Sequence, residues 1–299
     1  MPANRGTFSA LLAPGLASVF FDQLKVIPME HPQWINVEKS SRAYEEEYKM
    51  AGLGQMVQKG EGAVYTADSP IPGGTIRYTH LTYGLAFRVT EEMLEDDLYG
   101  VMNRMSKDLA KSAAYNRDVQ ATSVLNNGFN SSFTGLNGVE LFSTAQVDLD
   151  GGTQANEPTT AADLDLPALQ AAIESFKGWT DDRSFQVVSE PRWLIHATGD
   201  IWMANELLKT EKVPHSADNT VNIVKSMFGI EPKHLRHLTD TDAWMLLGVE
   251  HDLKLYNRVN DQFRNSDDPW NGDAIYTARH RISAGFGDWR HAYGSPGAA

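Results

Sequence analysis

The chain has no cysteine. That absence excludes disulfide scaffolds, thiolate zinc sites, iron–sulfur clusters and a cysteine nucleophile. There is no Gly-Lys pair, so the loop that cradles phosphates with backbone amides and a lysine ammonium cannot be built. Gly52-Leu-Gly54 opens like a dinucleotide fingerprint, but the third glycine and the following helix are missing. Gly-x-Ser-x-Gly and Ser-x-x-Lys are absent, which nominates no serine nucleophile, and so is His-Glu-x-x-His. No apolar run approaches the roughly 18 residues that span a bilayer, and Leu11 to Leu24 is broken by Pro14, Gly15 and Asp22. The sequence therefore reads as soluble and unexported, without a membrane partner or a cofactor.

Positive charge is also scarce. Lys and Arg number 26 against 39 Asp and Glu, a net of −13 over 299 residues. Residues 1–130 hold 12 against 15, residues 131–272 hold 11 against 22, and residues 273–299 hold 3 against 2. A net of −11 in the middle block repels phosphate, so any nucleic-acid contact is expected to be local and non-specific. The length fits about two domains with a sizeable core.

What is present begins with a segment of little pattern. Phe8, Leu11, Leu12, Val19, Phe20, Phe21 and Trp34 follow no sustained period, so the first fifty-odd residues read as an arm ordered by docking elsewhere. Tyr44 to Met50, with Glu45, Glu46 and Glu47, reads as a solvated face. From about Gln55 to Val89 the pattern turns to strand. Leu81, Tyr83, Leu85, Phe87 and Val89 alternate with polar or small residues, and Ile76, Tyr78 and His80 alternate in the opposite phase, which predicts a bend near His80 and Leu81. Asp68 to Gly74 is rich in turn residues, so a long hairpin with its tip there is predicted.

Thr90 begins the longest helical pattern. Acids at Glu91, Glu92, Glu95, Asp96 and Asp97 suit a helix start, and Gly128 after Asn127 suits a stop. Leu94, Leu98, Met102, Met105, Leu109 and Ala113 recur mostly at spacings of three and four. About 38 residues would span roughly 57 Å, a spine for other elements. Beyond it the pattern is mixed. Strands are predicted at Phe133 to Phe142, Phe185 to Val188, Arg192 to Ile195, Leu235 to Leu238, Ala243 to Val249, Leu253 to Val259 and Ala274 to Phe286. Helices are predicted at Leu166 to Lys177, Asp200 to Lys209 and Val221 to Phe228, with polar loops at 145–160, 210–220 and 261–273. No strict βαβ repeat occurs, so the class is α+β.

Three constellations could carry chemistry or contacts. His234, His237, Asp240 and Asp242 put four potential metal ligands within nine residues, a pattern that ordinary turn chemistry on an acidic surface explains better than a metal site. Asp96/Asp97, Asp181/Asp182 and Asp267/Asp268 are adjacent acids, which point apart on a helix and so do not favour a shared-proton dyad. Arg279, His280, Arg281, Phe286, Trp289, Arg290, His291 and Tyr293 form a basic, aromatic-interleaved cluster, read as an interface with another protein or as a nucleic-acid groove.

Arm, hairpin, single spine helix, mixed domain and returning strand, in that order and without an active site, resemble the major capsid proteins of tailed bacteriophages, the Hong Kong 97-type capsid fold. Local phrases strengthen the resemblance: Tyr83-Gly-Leu-Ala-Phe-Arg-Val-Thr90, Leu136-Asn-Gly-Val-Glu-Leu-Phe-Ser-Thr144, Arg192-Trp-Leu-Ile195, and Gly285-Phe-Gly-Asp-Trp-Arg290 followed by Tyr293-Gly294. The resemblance implies an N-arm over 1–54, an extended loop over 55–89, the spine helix of a peripheral domain over 90–134 and an axial domain over 135–251. Returning strands over 252–288 and a tail over 289–299 complete it. It further implies a non-enzymatic subunit of an icosahedral head in the virion, assembled in the bacterial cytoplasm as hexamers and pentamers around double-stranded DNA. A portal, separate scaffolding and decoration proteins would be its partners.

Inter-subunit contacts are expected from Asp68, Pro70, Ile71, Pro72, Gly73 and Gly74 at the loop tip, from Phe20, Phe21 and Trp34 in the arm, and from Arg279, Arg281, Trp289, Arg290 and Tyr293. Some relatives cross-link a tip lysine to a neighbour's asparagine. Ala67 to Gly74 contains no lysine and Lys59 is poorly placed, so no cross-link is expected. The alternatives are an encapsulin-type cargo shell, which shares the fold, and a metal-dependent enzyme built on His234, His237, Asp240 and Asp242.

Overall fold

A computed structural model describes residues 6–90, 92–93, 96, 99–212, 221–268 and 273–298. The chain forms two compact units, the first from residues 1–45, 78–121 and 254–284, the second from residues 46–77, 122–253 and 285–299.

The first unit is a helix pair on a sheet. Its strands are β1 (Asn36–Lys39), β4 (Leu81–Val89), β10 (Leu253–Asp267) and β11 (Ala274–Phe286), in the order β1-β10-β11-β4. β11 alternates buried and half-buried residues, the period expected of a sheet with one packed face. Ala274, Tyr276, Ala278 and Ile282 are buried, as are Met102, Leu109, Ala110 and Ala113 of the spine helix α2 (Tyr99–Asn126). Leu16 and Phe20 of α1 (Gly6–Val26) join the same core. Polar ties fix these layers: Ser106 Oγ donates to the Leu16 carbonyl at 2.8 Å, and Asp118 accepts from the backbone amides of Glu30 and His31. His31 Nδ1 lies 2.7 Å from the same carboxylate. Burial alone would raise the Asp118 pKa, but the hydrogen bonds from His31 and Glu30 outweigh it and hold the carboxyl below its ordinary value.

The second unit is built on a sheet of order β12-β9-β7-β8, comprising β7 (Pro191–His196), β8 (Glu231–His234), β9 (Trp244–Gly248) and β12 (Ala292–Ser295). β7 and β8 run parallel and the other pairs antiparallel. β9 is buried along its length, which its uninterrupted apolar run requires. Helices α3 (Leu166–Gly178), α4 (Ile201–Lys209) and α5 (Ile223–Met227) belong to this unit. α3 is capped by Asp165, which accepts from the Ala168 amide at 2.7 Å, and it buries Leu169, Ala172, Ile173 and Phe176. β2 (Tyr44–Ala51) pairs with β3 (Ile71–Thr79) in a hairpin, and short β5 (Gln146–Val147) pairs with β6 (Thr153–Gln154).

Several sequence expectations are corrected. The N-terminal stretch carries a 21-residue helix that docks on its own unit. Ala13, Leu16, Phe20 and Leu24 make its stripe, obscured in the sequence by Pro14, Gly15 and the apolar residues between. Tyr44 to Met50 is a hairpin strand, with Glu46 exposed and Lys49 buried, rather than a wholly solvated run. Ile71 to Gly74 lie inside β3, so the turn expected at 68–74 gives way to a longer connection over residues 52–70. The bend at His80 is present, separating β3 from β4.

Phe133 to Phe142 is turn and loop with one isolated bridge, Thr134 to Glu140, and Phe185 to Val188 likewise has only the bridge Thr180 to Gln186. The strand expected at Leu235 to Leu238 is β8, four residues earlier, and residues 261–267 extend β10 rather than forming a loop. β12 was not foreseen; its Gly294 and Ser295 look like tail residues until paired with Met245 and Trp244. The expected helix start at Glu91, Leu94, Glu95, Asp97 and Leu98 lies outside the described residues, as do residues 213–220 of the polar loop.

Candidate functional site

The feature most in need of a partner is the connection between β2 and β3. All of residues 52–70 except Gly54 are exposed, and they include Leu53, Met56, Val57, Val64 and Tyr65, with Met56 98% and Tyr65 81% exposed. So much apolar surface on one loop makes it the candidate contact surface of the chain. Among the described residues its internal ties are few: Lys59 stands 4.9 Å over the Tyr65 ring, and the Ala63 amide donates to Gly60.

The neck of this loop, in contrast, is held firmly. Arg183, on the turn after α3, donates from Nε to the Gly52 carbonyl at 2.9 Å and from Nη2 to the Ser69 carbonyl. Its Nη1 lies 3.6 Å from Asp68, and Asp68 in turn accepts from the Gly54 amide at 2.7 Å. One guanidinium therefore joins both sides of the neck, a task its fixed fork of donors suits. The Gly54 and Ser69 amides hold the Asp68 carboxyl below its ordinary pKa, with Arg183 adding to the effect.

Beneath the neck lies a buried charge network. Lys49 Nζ of β2 is 2.9 Å from Asp182, and Arg290 reaches Asp148 at 2.6 Å, Asp288 at 3.1 Å and Asp182 at 3.4 Å. Arg290 Nε also donates to the Thr180 carbonyl at 2.8 Å. Burial raises the Asp148 pKa in spite of Gln154 and Arg290 beside it. β3 approaches the body closely as well, since a Cβ on Gly74 would fall 2.3 Å from the Leu136 carbonyl oxygen.

The residues expected at contacts fall into two groups. Asp68, Pro70, Pro72 and Gly74 are exposed while Ile71 and Gly73 are half-buried, so this group lies at the neck and in β3. Phe21 is 37% exposed, but Phe20 and Trp34 are buried within the first unit, a correction to their reading as arm contacts. The cluster Arg279, Arg281, Trp289, Arg290 and Tyr293 is not one patch. Trp289, Arg290 and Tyr293 are interior residues of the second unit, and burial pushes the Tyr293 pKa up to about 12. Arg279 and Arg281 are half-buried on β11 in the first unit.

Asp181 and Asp182 diverge: Asp182 faces Lys49, while Asp181 accepts from the Arg183 and Phe185 amides. Among the described residues no three His, Asp or Glu side chains converge as metal ligands would. His234 Nε2 lies 3.0 Å from Thr198 Oγ1, and the His237 carbonyl accepts from Asn126. Asp242 is raised in pKa by its hydrogen bond with Asp240, a turn contact. The roles of Lys49, Arg183 and Asp148 carried no sequence signal, because single charged residues in loops acquire partners only through the fold.

This architecture recurs in solved shell proteins. The procapsid of bacteriophage JBD30 is matched over 98% of this chain and 75% of that chain, at 15% identity and a TM-score of 0.52. The capsid of the empty GTA particle is matched over 92% of both chains at 11% identity and a TM-score of 0.57. The virus-like particle of Pyrococcus furiosus is matched over 94% and 97%, at 11% identity and 0.51. No curated protein sequence matches.

A mixed α+β chain with a spine helix and a hairpin bearing an apolar loop, matched over most of its length by these capsids, has a Hong Kong 97-type capsid fold. The phage capsid protein family matches residues 73–295, and the chain belongs to that family. It is a structural protein of the virion rather than an enzyme.

Proposed function

We propose that the chain is the repeating subunit of hexamers and pentamers that close into an icosahedral phage head around double-stranded DNA. The first unit would serve as the peripheral domain and the body of the second as the axial domain, with the β2–β3 hairpin laid over a neighbouring subunit. The observation that carries this reading is the loop 52–70, whose apolar side chains are exposed while its neck is clamped by Arg183. A loop held at its base and unburied at its end gains its stabilisation from another molecule. Scaffolding and portal functions would come from separate proteins. Decoration is a further possibility to test, since minor capsid protein trimers decorate the related JBD30 capsid.

Negative-stain electron microscopy of the expressed chain is the deciding experiment. Uniform closed shells are the expected result, and dispersed monomers under all assembly conditions would refute the reading. Deleting residues 55–66 should leave a folded subunit that fails to close shells. Duplex DNA rather than a protein cargo inside shells recovered from infected cells separates a phage head from a cargo compartment.

A further inference from the structure

The first unit's sheet packs one face against the helices, and its other face carries an unusual charge. By strand alternation and register, Arg88 of β4, Lys254, Arg258 and Arg264 of β10, and Arg279 and Arg281 of β11 share that outer face. Glu38 of β1, in register with Tyr256, is the one acidic residue the four strands place there among the described residues. Arg88 is engaged by Asp268 and Asp273 at the sheet edge. Arg258 and Arg279 make no ion pair among the described residues, and the Nε of each is buried without an acceptor. Among the described residues, Arg281 donates to the His80 carbonyl at 3.1 Å and makes no ion pair. Three guanidinium groups therefore stand on the outer face of β10 and β11 without an ion pair among the described residues, Glu45 beside His80 being the nearby carboxylate that acts on the same imidazole.

The two units differ sharply in charge. The first holds 14 Lys and Arg against 15 Asp and Glu, a net of −1, whereas the second holds 12 against 24, a net of −12. A subunit that assembles with itself thus carries both halves of a complementary pair.

We propose that the outer face of the β1-β10-β11-β4 sheet is a docking surface for a second copy of this chain, whose second unit supplies carboxylates to Arg258, Arg279 and Arg281. This rests on the self-assembling capsid reading and names one of its contacts. Arginine suits the task because its planar fork pairs bidentately with carboxylates and is weakly hydrated, so a half-buried guanidinium is readily covered. The flat neighbours Thr82, Gly84 and Ala86 are exposed and leave room for close approach. A nucleic-acid partner is disfavoured by the chain's net of −13, which opposes approach of a polyphosphate.

The test compares shell yield, by sedimentation and microscopy, for the unaltered chain and the double variant Arg258→Glu/Arg279→Glu. Arg104→Glu, an exposed position on α2, serves as a charge control. The double variant should keep its circular dichroism spectrum and melting temperature yet assemble about tenfold less. Arg104→Glu and the conservative Arg279→Lys should stay near the unaltered yield. If the double variant misfolds, Arg258→Gln/Arg279→Gln replaces it, with the same expected direction. Unchanged assembly by a folded double variant overturns the docking surface while leaving the capsid reading intact. Loss of binding to a short DNA duplex with assembly unchanged would assign the face to nucleic acid and equally overturn it. Failure of the unaltered chain to form any oligomer would overturn both.

Discussion

Lys49 and Asp182 meet at 2.9 Å with their side chains about nine-tenths withdrawn from solvent. The contact is an ion pair rather than an aligned hydrogen bond, since Lys49 Nζ has no hydrogen-bond partner of good geometry. It joins a hairpin strand to the turn after α3, and Arg183, the next residue, clamps the loop that the strand leads into. Anchorage of the hairpin is thus concentrated in two consecutive side chains.

Removing the two cations of this network should have unequal effects. Arg290→Met strands Asp148 in the interior without a paired cation, although Asp182 keeps Lys49, and is expected to cost about 3–5 kcal/mol. Lys49→Met leaves Asp182 with Arg290 and the Leu149 amide, so a smaller loss of about 1–2 kcal/mol is expected. Urea denaturation of both variants checks the order, and equal losses would contradict it.

Arg183→Ala should leave the body of the second unit intact and release the neck. Its partners are two backbone carbonyls and one half-exposed carboxylate, so global stability should change by about 1 kcal/mol or less. Limited proteolysis should cut within residues 52–70 markedly faster than in the unaltered chain. An unchanged cleavage rate would show that Arg183 does not hold the loop.

Gly135→Ala tests the packing beside the C-terminal turn. Its Cβ would stand 2.4 Å from the Phe286 ring and 2.7 Å from the Gly287 carbonyl oxygen, beside the bond from the Leu136 amide to that same oxygen. Overpacking of this kind costs about 1–3 kcal/mol, read as a lowered melting temperature. Gly138→Ala, at φ 77° but with open space around its Cβ, should cost less than Gly135→Ala.

Stability should also depend on pH through Asp200, at the start of α4. Burial, with Asp163 and Asp242 nearby, pushes its pKa up to about 6 from 3.8. A carboxyl raised in the folded state binds more protons there than when unfolded, so this group's contribution falls as pH rises from about 4 to about 6. Asp200→Asn should therefore stabilise the protein at pH 7 and change little near pH 4. Melting temperatures at the two pH values measure this, and an equal shift at both would refute it.

Legibility followed locality. α3 begins at the predicted Leu166, and β11 spans the predicted Ala274 to Phe286 without change, because helical and strand periods are read from neighbouring residues. α1 was hidden by a proline within it, and residues 261–267 were hidden by polarity. Phe263 of that strand packs on Phe20, a contact no local window contains. Local pattern predicts strand from Gln55 and a turn at 68–74 where the structure has a connection over residues 52–70, because its bounds depend on which strand β2 pairs with.

By itself the sequence determined the α+β class, the spine helix, the absence of cysteine, the acidic balance and the resemblance to phage capsid proteins. These depend on residue type and short-range spacing. Only the tertiary structure decided that Arg290, Trp289 and Tyr293 are interior, that Arg183 closes the hairpin neck, and that Arg258 and Arg279 share one face of a sheet. Each of those depends on long-range pairing, where a charge's role is set by which partner the fold brings within about 4 Å and by how much water remains between them.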